Sequence, residues 1–143
     1  MTPEEILKKY KTVAVVGASR DPEKAAHEVP AYLQEQGYKI VPINPNANEI
    51  LGEKSYPSLL DLPESVAKQI EVVDIFRPPK EVPAIVQQAI ELKKKYRRPF
   101  VIWMQILIIN DEAAEMARKA GFEVVMNKCM MSEHKKMIDR GEI

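Results

Sequence analysis

The sequence predicts an α/β fold that is doubly wound, with a mainly parallel five-stranded sheet and helices on both of its faces. Five short runs rich in β-branched residues recur along the chain, and each is nearly all apolar, which is typical of parallel strands buried on both faces. The runs lie at residues 12–16, 39–43, 72–76, 100–103 and 123–126. Helical patterns separate them, and this alternation indicates βαβ units with right-handed crossovers. A chain of 143 residues suits a single domain, which we expect to span residues 1–143.

The first predicted helix begins with strong start signals. Thr2 is placed as an N-cap, Pro3 as the first helical residue and Glu5 as the partner that completes a capping box. The other helices are expected at residues 23–36, 59–69, 81–96, 110–120 and 130–139. The helix at 59–69 has the weakest pattern. The longest irregular stretch, residues 45–57, is expected to contain a small extra strand around residues 54–56.

The composition narrows the classes of partner. Lys and Arg together number 21, as do Asp and Glu, so no general nucleic-acid binder is expected. The single cysteine allows no intrachain disulfide, and the two histidines are too far apart in sequence to indicate a metal site. We expect no signal peptide and no membrane partner, since no apolar run approaches roughly 20 residues. The expected location is cytoplasmic, with a homo-oligomer or an unknown protein partner left open.

The turn after the first strand is the main candidate for ligand binding. In an open parallel sheet, ligands bind at the carboxyl ends of the strands, where the strand order reverses. Gly17, Ala18 and Ser19 form this turn, and glycine allows both a tight turn and a close approach to a ligand. The following helix favours an anion at its N-terminus, and Arg20 and Lys24 flank that point. The pattern predicts phosphate binding, and the alternative is a turn with no ligand.

Two further strand exits carry candidate contacts. After the second strand, Asn44 and Pro45 stand where an NAD-binding domain has an acidic residue for the ribose hydroxyl, which disfavours an NAD-linked dehydrogenase. After the third strand come Phe76, Arg77 and Pro78. The proline holds the backbone of Arg77 extended, and the arginine either contacts a ligand or forms a salt bridge. Phe76 either lines a ligand slot or packs in the core.

The remaining exits carry Trp103, Gln105 and Cys129. Trp103 is placed where the sheet meets solvent, and it either fills the core or stacks on a ligand. Gln105 interrupts an apolar run, so its amide needs a partner in the backbone or in a ligand. Cys129 follows Lys128 and is either a reactive thiol or a small buried hydrophobic residue.

Three titratable side chains lie near these exits without an evident nucleophile. Glu133 and His134 are capable of acid–base chemistry, but a surface or capping role is favoured for them. His27, on the second predicted helix, is expected to be structural or solvated rather than a ligand contact. The basic run at residues 93–98 is expected to be a solvated helix end rather than a nucleic-acid patch.

Several motifs, in order along residues 11–134, resemble those of small stand-alone CoA-binding domain proteins. They are VVGASRDP, VPINP, VDIFRPP, IWMQ and NKCMMSEH. These proteins are similar to the CoA-binding domain of the succinyl-CoA synthetase alpha subunit. The resemblance implies a Rossmann-like fold and coenzyme A as the ligand. The family's motifs map onto Gly17, Ala18, Ser19, Lys24, Asn44, Pro45, Phe76, Arg77, Pro78, Trp103, Gln105 and Cys129, and its Glu-His pair maps onto Glu133 and His134. The expected CoA-binding residues are those from Gly17 to Cys129 in this set, together with Arg20.

One position departs from the family pattern. A glycine tends to follow the Trp-x-Gln motif, where this chain has Ile106, Leu107 and Ile108. The departure changes a loop that the resemblance places near the pantetheine arm of CoA.

The sequence therefore predicts binding of CoA or an acyl-CoA by a non-catalytic carrier, sensor or regulatory module. The diphosphate suits a helix N-terminus, and the 3′-phosphate suits a cation such as Arg20, Lys24 or Arg77. The alternatives are an NAD(P)-linked oxidoreductase, an acyl-CoA-handling enzyme, and a thiol-redox protein in which Cys129 forms a mixed disulfide with CoA.

Overall fold

The computed structural model describes the whole chain, Met1–Ile143. Its strands are β1 (Thr12–Val16), β2 (Lys39–Ile43), β3 (Glu49–Ile50), β4 (Glu53–Lys54), β5 (Val72–Ile75), β6 (Val101–Met104) and β7 (Glu123–Val125). Its helices are α1 (Pro3–Lys9), α2 (Ala25–Glu35), α3 (Glu64–Ala67), α4 (Val82–Tyr96), α5 (Asp111–Lys119) and α6 (Met130–Asp139). Two single 3₁₀ turns, Leu59–Asp61 and Pro79–Glu81, precede α3 and α4.

Five strands form one parallel sheet in the order β2-β1-β5-β6-β7. The chain moves outward from β1 to β2 and then crosses to the other side of β1 at β5. The strand order therefore reverses between β1 and β5, and their carboxyl ends flank the crevice where open α/β sheets bind ligands. The predicted fold class is confirmed.

Helices cover both faces of the sheet, and each face has its own apolar core. Helices α1, α2 and α6 bury residues such as Leu7, Leu33 and Met137 against one face. Helices α3, α4 and α5 bury residues such as Val86 and Ala114 against the other. The five strands are short and almost wholly buried because apolar side chains emerge on both faces, as the sequence runs predict.

The predicted start of α1 is confirmed in detail. The Glu5 amide donates to the Thr2 hydroxyl over 3.1 Å, and the Thr2 amide donates back to the Glu5 carboxylate over 2.8 Å. No helix of the structure is long and apolar enough to cross a membrane.

Local chemistry explains where the element boundaries differ from the prediction. The helix expected at residues 59–69 is split, because Pro63 holds Leu62 in an extended conformation between the 3₁₀ turn and α3. Helix α2 begins at Ala25 rather than at residue 23, since a turn closed by Asp21 precedes it. The extra strand is instead a hairpin of β3 and β4, and Tyr56 forms a separate parallel bridge to Ile43.

Candidate functional site

A cleft of about 320 Å³ opens at the carboxyl ends of β1, β2 and β5, beside the point where the strand order reverses. Its lining is mostly polar. The polar and charged lining residues include Asn44, Asn46, Ser58, Arg77 and Glu81. The cleft therefore lies where the sequence places its first three strand exits.

Gly17 closes one side of this cleft and has a structural reason to be glycine. Its φ is +92°, a conformation that residues with a β-carbon rarely adopt. A β-carbon at this position would lie 2.9 Å from the carbonyl oxygen of Phe76 and 2.8 Å from Cδ of Arg77. Close packing between the exits of β1 and β5 thus requires the glycine, and its predicted approach to a phosphate stays a prediction.

The segment after Gly17 leads to an uncapped helix. The Ser19 amide donates to the Ala26 carbonyl over 3.1 Å, and the Ser19 hydroxyl accepts from the amide of Asp21. Lys24 occupies the N-cap position of α2, and its side chain caps no amide. The amides of Ala25 and Ala26 donate to no group of the chain. The first turn of α2 therefore keeps free donors and a positive helix end, which together favour an anion.

Two cations stand beside this helix end. Arg20 and Lys24 are both exposed, and neither forms an ion pair within the chain. Ala18, by contrast, is wholly buried in the core under α1, α2 and α6, so only its backbone is available to a ligand.

Asn44 ties the exit of β2 to the turn after β1. Its side-chain amide donates to the carbonyl of Ala18 over 2.8 Å, and its side-chain oxygen accepts from the Asn46 amide over 2.8 Å. Pro45 is exposed at the rim. The half-buried Asn44 thus gives the cleft a neutral, hydrogen-bonded wall where an NAD site would have a carboxylate.

The exit of β5 carries an ion pair. The Arg77 guanidinium contacts the Glu81 carboxylate through two bonds, of 3.2 Å from Nε and 2.9 Å from a terminal nitrogen. Both side chains are partly exposed and line the cleft. Phe76 is half-buried against the core, and the exposed Pro78 begins the turn that leads into α4. The salt-bridge interpretation of Arg77 therefore holds in the free protein.

Trp103 and Gln105 lie further inside than predicted. The strand extends one residue beyond Trp103, so the indole is wholly buried and its N–H donates to the Lys128 carbonyl over 2.7 Å. Its predicted position at the solvent edge is wrong, and stacking on a ligand does not fit this burial. The Gln105 side chain is also buried, and its oxygen accepts from the Met130 amide over 3.1 Å.

The titratable residues of α6 also differ from expectation. Glu133 and His134 are buried, so the favoured surface or capping role is wrong for both. The His134 ring lies 2.7 Å from the Tyr32 hydroxyl, and burial, aided by the charge of Lys11, lowers the pKa of His134. The Glu133 carboxylate pairs with Lys136 over 3.0 Å. The contact between His134 and Tyr32 fastens α6 to α2, whereas the Glu133 ion pair lies within α6. Neither side chain lines the cleft.

Cys129 and His27 occupy half-buried positions. Cys129 is the N-cap residue of α6 and caps no amide with its side chain. His27 lies in the first turn of α2 and makes no side-chain hydrogen bond, so its expected structural or solvated role stays a prediction. Neither residue lines the cleft.

Asp74 is a functional candidate that sequence reasoning missed. It lies on β5, is wholly buried, and neither of its carboxyl oxygens has a hydrogen-bond partner. Burial raises the pKa of Asp74 well above its ordinary value, and the charge of a Cys129 thiolate raises it further. A carboxylate inside the otherwise apolar run V-V-D-I is the signal in the sequence that could have identified it.

Comparison with known proteins identifies the family. Residues 11–135 match the family model described as a CoA binding domain. The chain belongs to this family. The predicted resemblance is thus confirmed over most of the chain.

Relatives include both stand-alone domains and parts of longer proteins. The uncharacterized protein YneT of Bacillus subtilis is 33% identical over 131 residues, which cover 92% of this chain and 90% of YneT. Acetate–CoA ligase [ADP-forming] II of Archaeoglobus fulgidus is 42% identical over 80 residues, which cover 54% of this chain but 11% of the ligase. A hypothetical protein from Pyrococcus horikoshii OT3 has a similar structure, with a TM-score of 0.85 and 44% identity over 96% of this chain and 93% of that one.

Proposed function

We propose that this CoA-binding family member binds coenzyme A or an acyl-CoA along the carboxyl edge of its sheet. The observation that carries the proposal is the uncapped start of α2 beside the cleft. Free amides at Ala25 and Ala26 and the unpaired cations Arg20 and Lys24 stand together at one point. Such an arrangement matches a diphosphate, which needs both hydrogen-bond donors and positive charge. In this proposal the segment from Gly17 to Lys24 is the phosphate-binding loop.

The cleft between β1, β2 and β5 would hold the adenosine end of the ligand. Arg77 is the cation nearest to this region, and in the free protein Glu81 neutralises it. A 3′-phosphate would compete with the Glu81 carboxylate for the guanidinium, since both anions suit its planar fork of donors. The neutral Asn44 fits a ribose whose 3′ position carries a phosphate, because no carboxylate repels that group.

The role that best fits these features is a binding module, which acts as a carrier, a sensor or a regulatory domain in the cytoplasm. The one hydroxyl of the cleft lining, on Ser58, donates to the exposed carboxylate of Asp61 over 2.8 Å, and no cysteine, histidine or lysine lines the cleft. A solvated carboxylate is a weak base for a serine hydroxyl, which disfavours the acyl-CoA-handling enzyme. Asn44 replaces the carboxylate that an NAD site uses for the ribose hydroxyl, and both polar atoms of its side chain already form hydrogen bonds within the chain. Both facts disfavour the NAD(P)-linked oxidoreductase. The acetate–CoA ligase named above catalyses its reaction with a much longer chain, so its activity is not transferred here.

Calorimetric titration of the purified protein tests the proposal. We expect heat of binding with CoA and acetyl-CoA, weaker binding with 3′-dephospho-CoA, and none with NAD⁺ or NADP⁺ at the same concentration. Binding of NAD⁺ without binding of CoA would overturn the proposal. Equal affinity for CoA and 3′-dephospho-CoA would contradict the proposed contact with the 3′-phosphate and leave the rest of the proposal standing.

A further inference from the structure

Gln88 lies on α4 and lines the cleft at the carboxyl ends of β1, β2 and β5. Glu81, Ile85 and Gln88 recur at helical spacing and face the same side of the cleft. Each residue advances a helix by about 1.5 Å, so Gln88 lies about 10 Å along α4 from Glu81. The cleft therefore reaches two turns down this helix from the ion pair of Arg77 and Glu81.

The side-chain amide of Gln88 has no partner in the chain. The residue is half-buried and its side chain forms no hydrogen bond, whereas the exposed Gln87 next to it donates to Glu91 over 3.2 Å. Asn46 also lines the cleft with a free side-chain nitrogen, but it is fully exposed to solvent. An amide offers one acceptor and two donors, so Gln88 is able to form paired hydrogen bonds with a molecule in the cleft.

The other polar side chains of the cleft already have partners. The Ser58 hydroxyl donates to Asp61 over 2.8 Å, and the Arg77 guanidinium is paired with Glu81. The Asn44 side chain bonds to two backbone groups. Gln88 is therefore the half-buried side chain of the cleft whose hydrogen-bonding groups are all free.

Apolar groups line much of the rest of the cleft. Val16, Ile43 and Ile85 form its inner part, and Pro45 and Pro57 line it from the segments that follow β2 and β4. Apolar walls suit a flat aromatic ring, and a single polar group among them fixes the orientation of that ring. Adenine presents a donor beside an acceptor at its edge, the 6-amino group and a neighbouring ring nitrogen, and glutamine pairs with such an edge through two bonds.

We propose that Gln88 determines which base the cleft accepts, by pairing with the 6-amino group and a neighbouring ring nitrogen of adenine. This inference rests on the proposed function, which puts the adenosine end of CoA in this cleft. The ion pair at Arg77, proposed to meet the 3′-phosphate, lies about 10 Å from Gln88 along α4, which is about the length of a ribose and a purine together. A base without this edge leaves the half-buried amide unpaired, which lowers its affinity.

The test compares CoA with etheno-CoA, whose extra fused ring bridges N1 and the 6-amino nitrogen of the adenine and leaves no amino hydrogen to donate. The two ligands share their phosphates, ribose and pantetheine arm. In calorimetric titrations, the native protein should bind etheno-CoA about tenfold more weakly than CoA. Gln88→Met keeps the length of the side chain and removes its amide. This variant should bind CoA about tenfold more weakly than the native protein does, and should bind both ligands alike.

Gln87→Met is the matched control, because it makes the same change one residue away at an exposed position outside the cleft. It should bind CoA and distinguish the two ligands as the native protein does. Methionine is a good helix former, and circular dichroism checks that both variants are folded.

Two results would overturn the role of Gln88 while leaving CoA binding intact. One is equal affinity of the native protein for CoA and etheno-CoA, which decides the question even if Gln88→Met does not fold. The other is a preference for CoA that persists unchanged in Gln88→Met. If the native protein binds neither ligand, the proposed function itself fails, and the role of Gln88 fails with it.

Discussion

Gly17 and Phe76 are in such close contact that a β-carbon on Gly17 would lie 2.9 Å from the Phe76 carbonyl oxygen. This contact joins the exits of β1 and β5, the two strands between which the strand order reverses. The first candidate for a ligand-binding glycine is therefore also a packing residue, and its two roles need separate measurements.

We expect Gly17→Ala to destabilise the fold by about 2–4 kcal/mol, because the new methyl group adds a clash with fixed backbone to the strain of a positive φ. Gly37→Ala is a matched control. Its φ of +93° equals that of Gly17 within a degree, and a β-carbon there would meet nothing within 4 Å. The control should lose only about 1–2 kcal/mol. Urea unfolding measures both, and equal losses would show that the Phe76 contact is unimportant.

The stability of the protein should fall as the pH rises, because of Asp74. The folded carboxyl holds its proton more tightly than the unfolded one, whose pKa is 3.8. The contribution of this difference to the free energy of unfolding is therefore complete below pH 3.8, and it is lost as the pH rises through the pKa of the folded carboxyl. Asp74→Asn should remove this dependence and stabilise the protein at pH 8, because the neutral amide leaves no charge to bury. Asp139→Asn, at an exposed site, is the control, and an identical pH curve for Asp74→Asn would contradict the expectation.

Acid should weaken the attachment of α6 through His134. Burial and the charge of Lys11 lower the pKa of His134 from 6.5, so its contribution is present above pH 6.5 and is lost as the pH falls through the folded pKa. His134→Gln should therefore flatten the stability curve as the pH falls below 6.5. The other histidine, His27, makes no side-chain hydrogen bond, and His27→Gln should leave the curve unchanged. A drop that persists in His134→Gln would assign the effect to another group.

Leu107 holds a left-handed conformation, with a φ of +66°, and is 78% exposed. Its amide donates to the side-chain oxygen of Asn127 over 2.6 Å, which fixes the turn. Leu107→Gly should stabilise the protein by up to about 1 kcal/mol, since glycine relieves the strain at a small cost in entropy. Ile106→Gly, at an exposed neighbour without positive φ, should instead lose about 0.5–1 kcal/mol. Thermal unfolding that shows the same sign for both variants would refute this account.

Binding of CoA should depend on the cations beside α2. Lys24→Ala and Arg20→Ala should each weaken the affinity by about tenfold or less, because each removes one charge from a solvated phosphate site. Their loss should also reduce the dependence of affinity on salt. Lys119→Ala, an exposed change at the C-terminal end of α5, is the control. If all three variants bind alike, the phosphates lie elsewhere.

The sequence predicts the sheet well because its signals are local. Each of the five strands lies in a nearly all-apolar run, and Thr2 and Glu5 are close enough in sequence to reveal their capping box. The burial of His134 depends on packing between α2 and α6, yet the spacing of apolar residues in the sequence around it indicates this burial. Met130, His134 and Met137 recur at helical spacing, which places the histidine on an apolar face.

The candidate site was harder to predict than the fold. The sequence places Trp103 in the wrong environment because a shift of one residue in a strand end moves a side chain from the edge to the interior. The contact between Gly17 and Phe76 joins residues far apart in sequence, and no local pattern reports it. Asp74 has no hydrogen-bond partner because β5 lies between β1 and β6 under a helical layer. These elements come together only in the folded protein.

The bridge from Tyr56 to Ile43 has a consequence for self-association. The Tyr56 amide donates to the Pro42 carbonyl, and the Tyr56 carbonyl accepts from the Asn44 amide, so the outer side of β2 already has a hydrogen-bonding partner. Pro42 adds no amide that another chain could use. The opposite border of the sheet, β7, has three residues. Strand addition by a second chain therefore finds little exposed backbone at either border, which protects the protein from edge-to-edge aggregation.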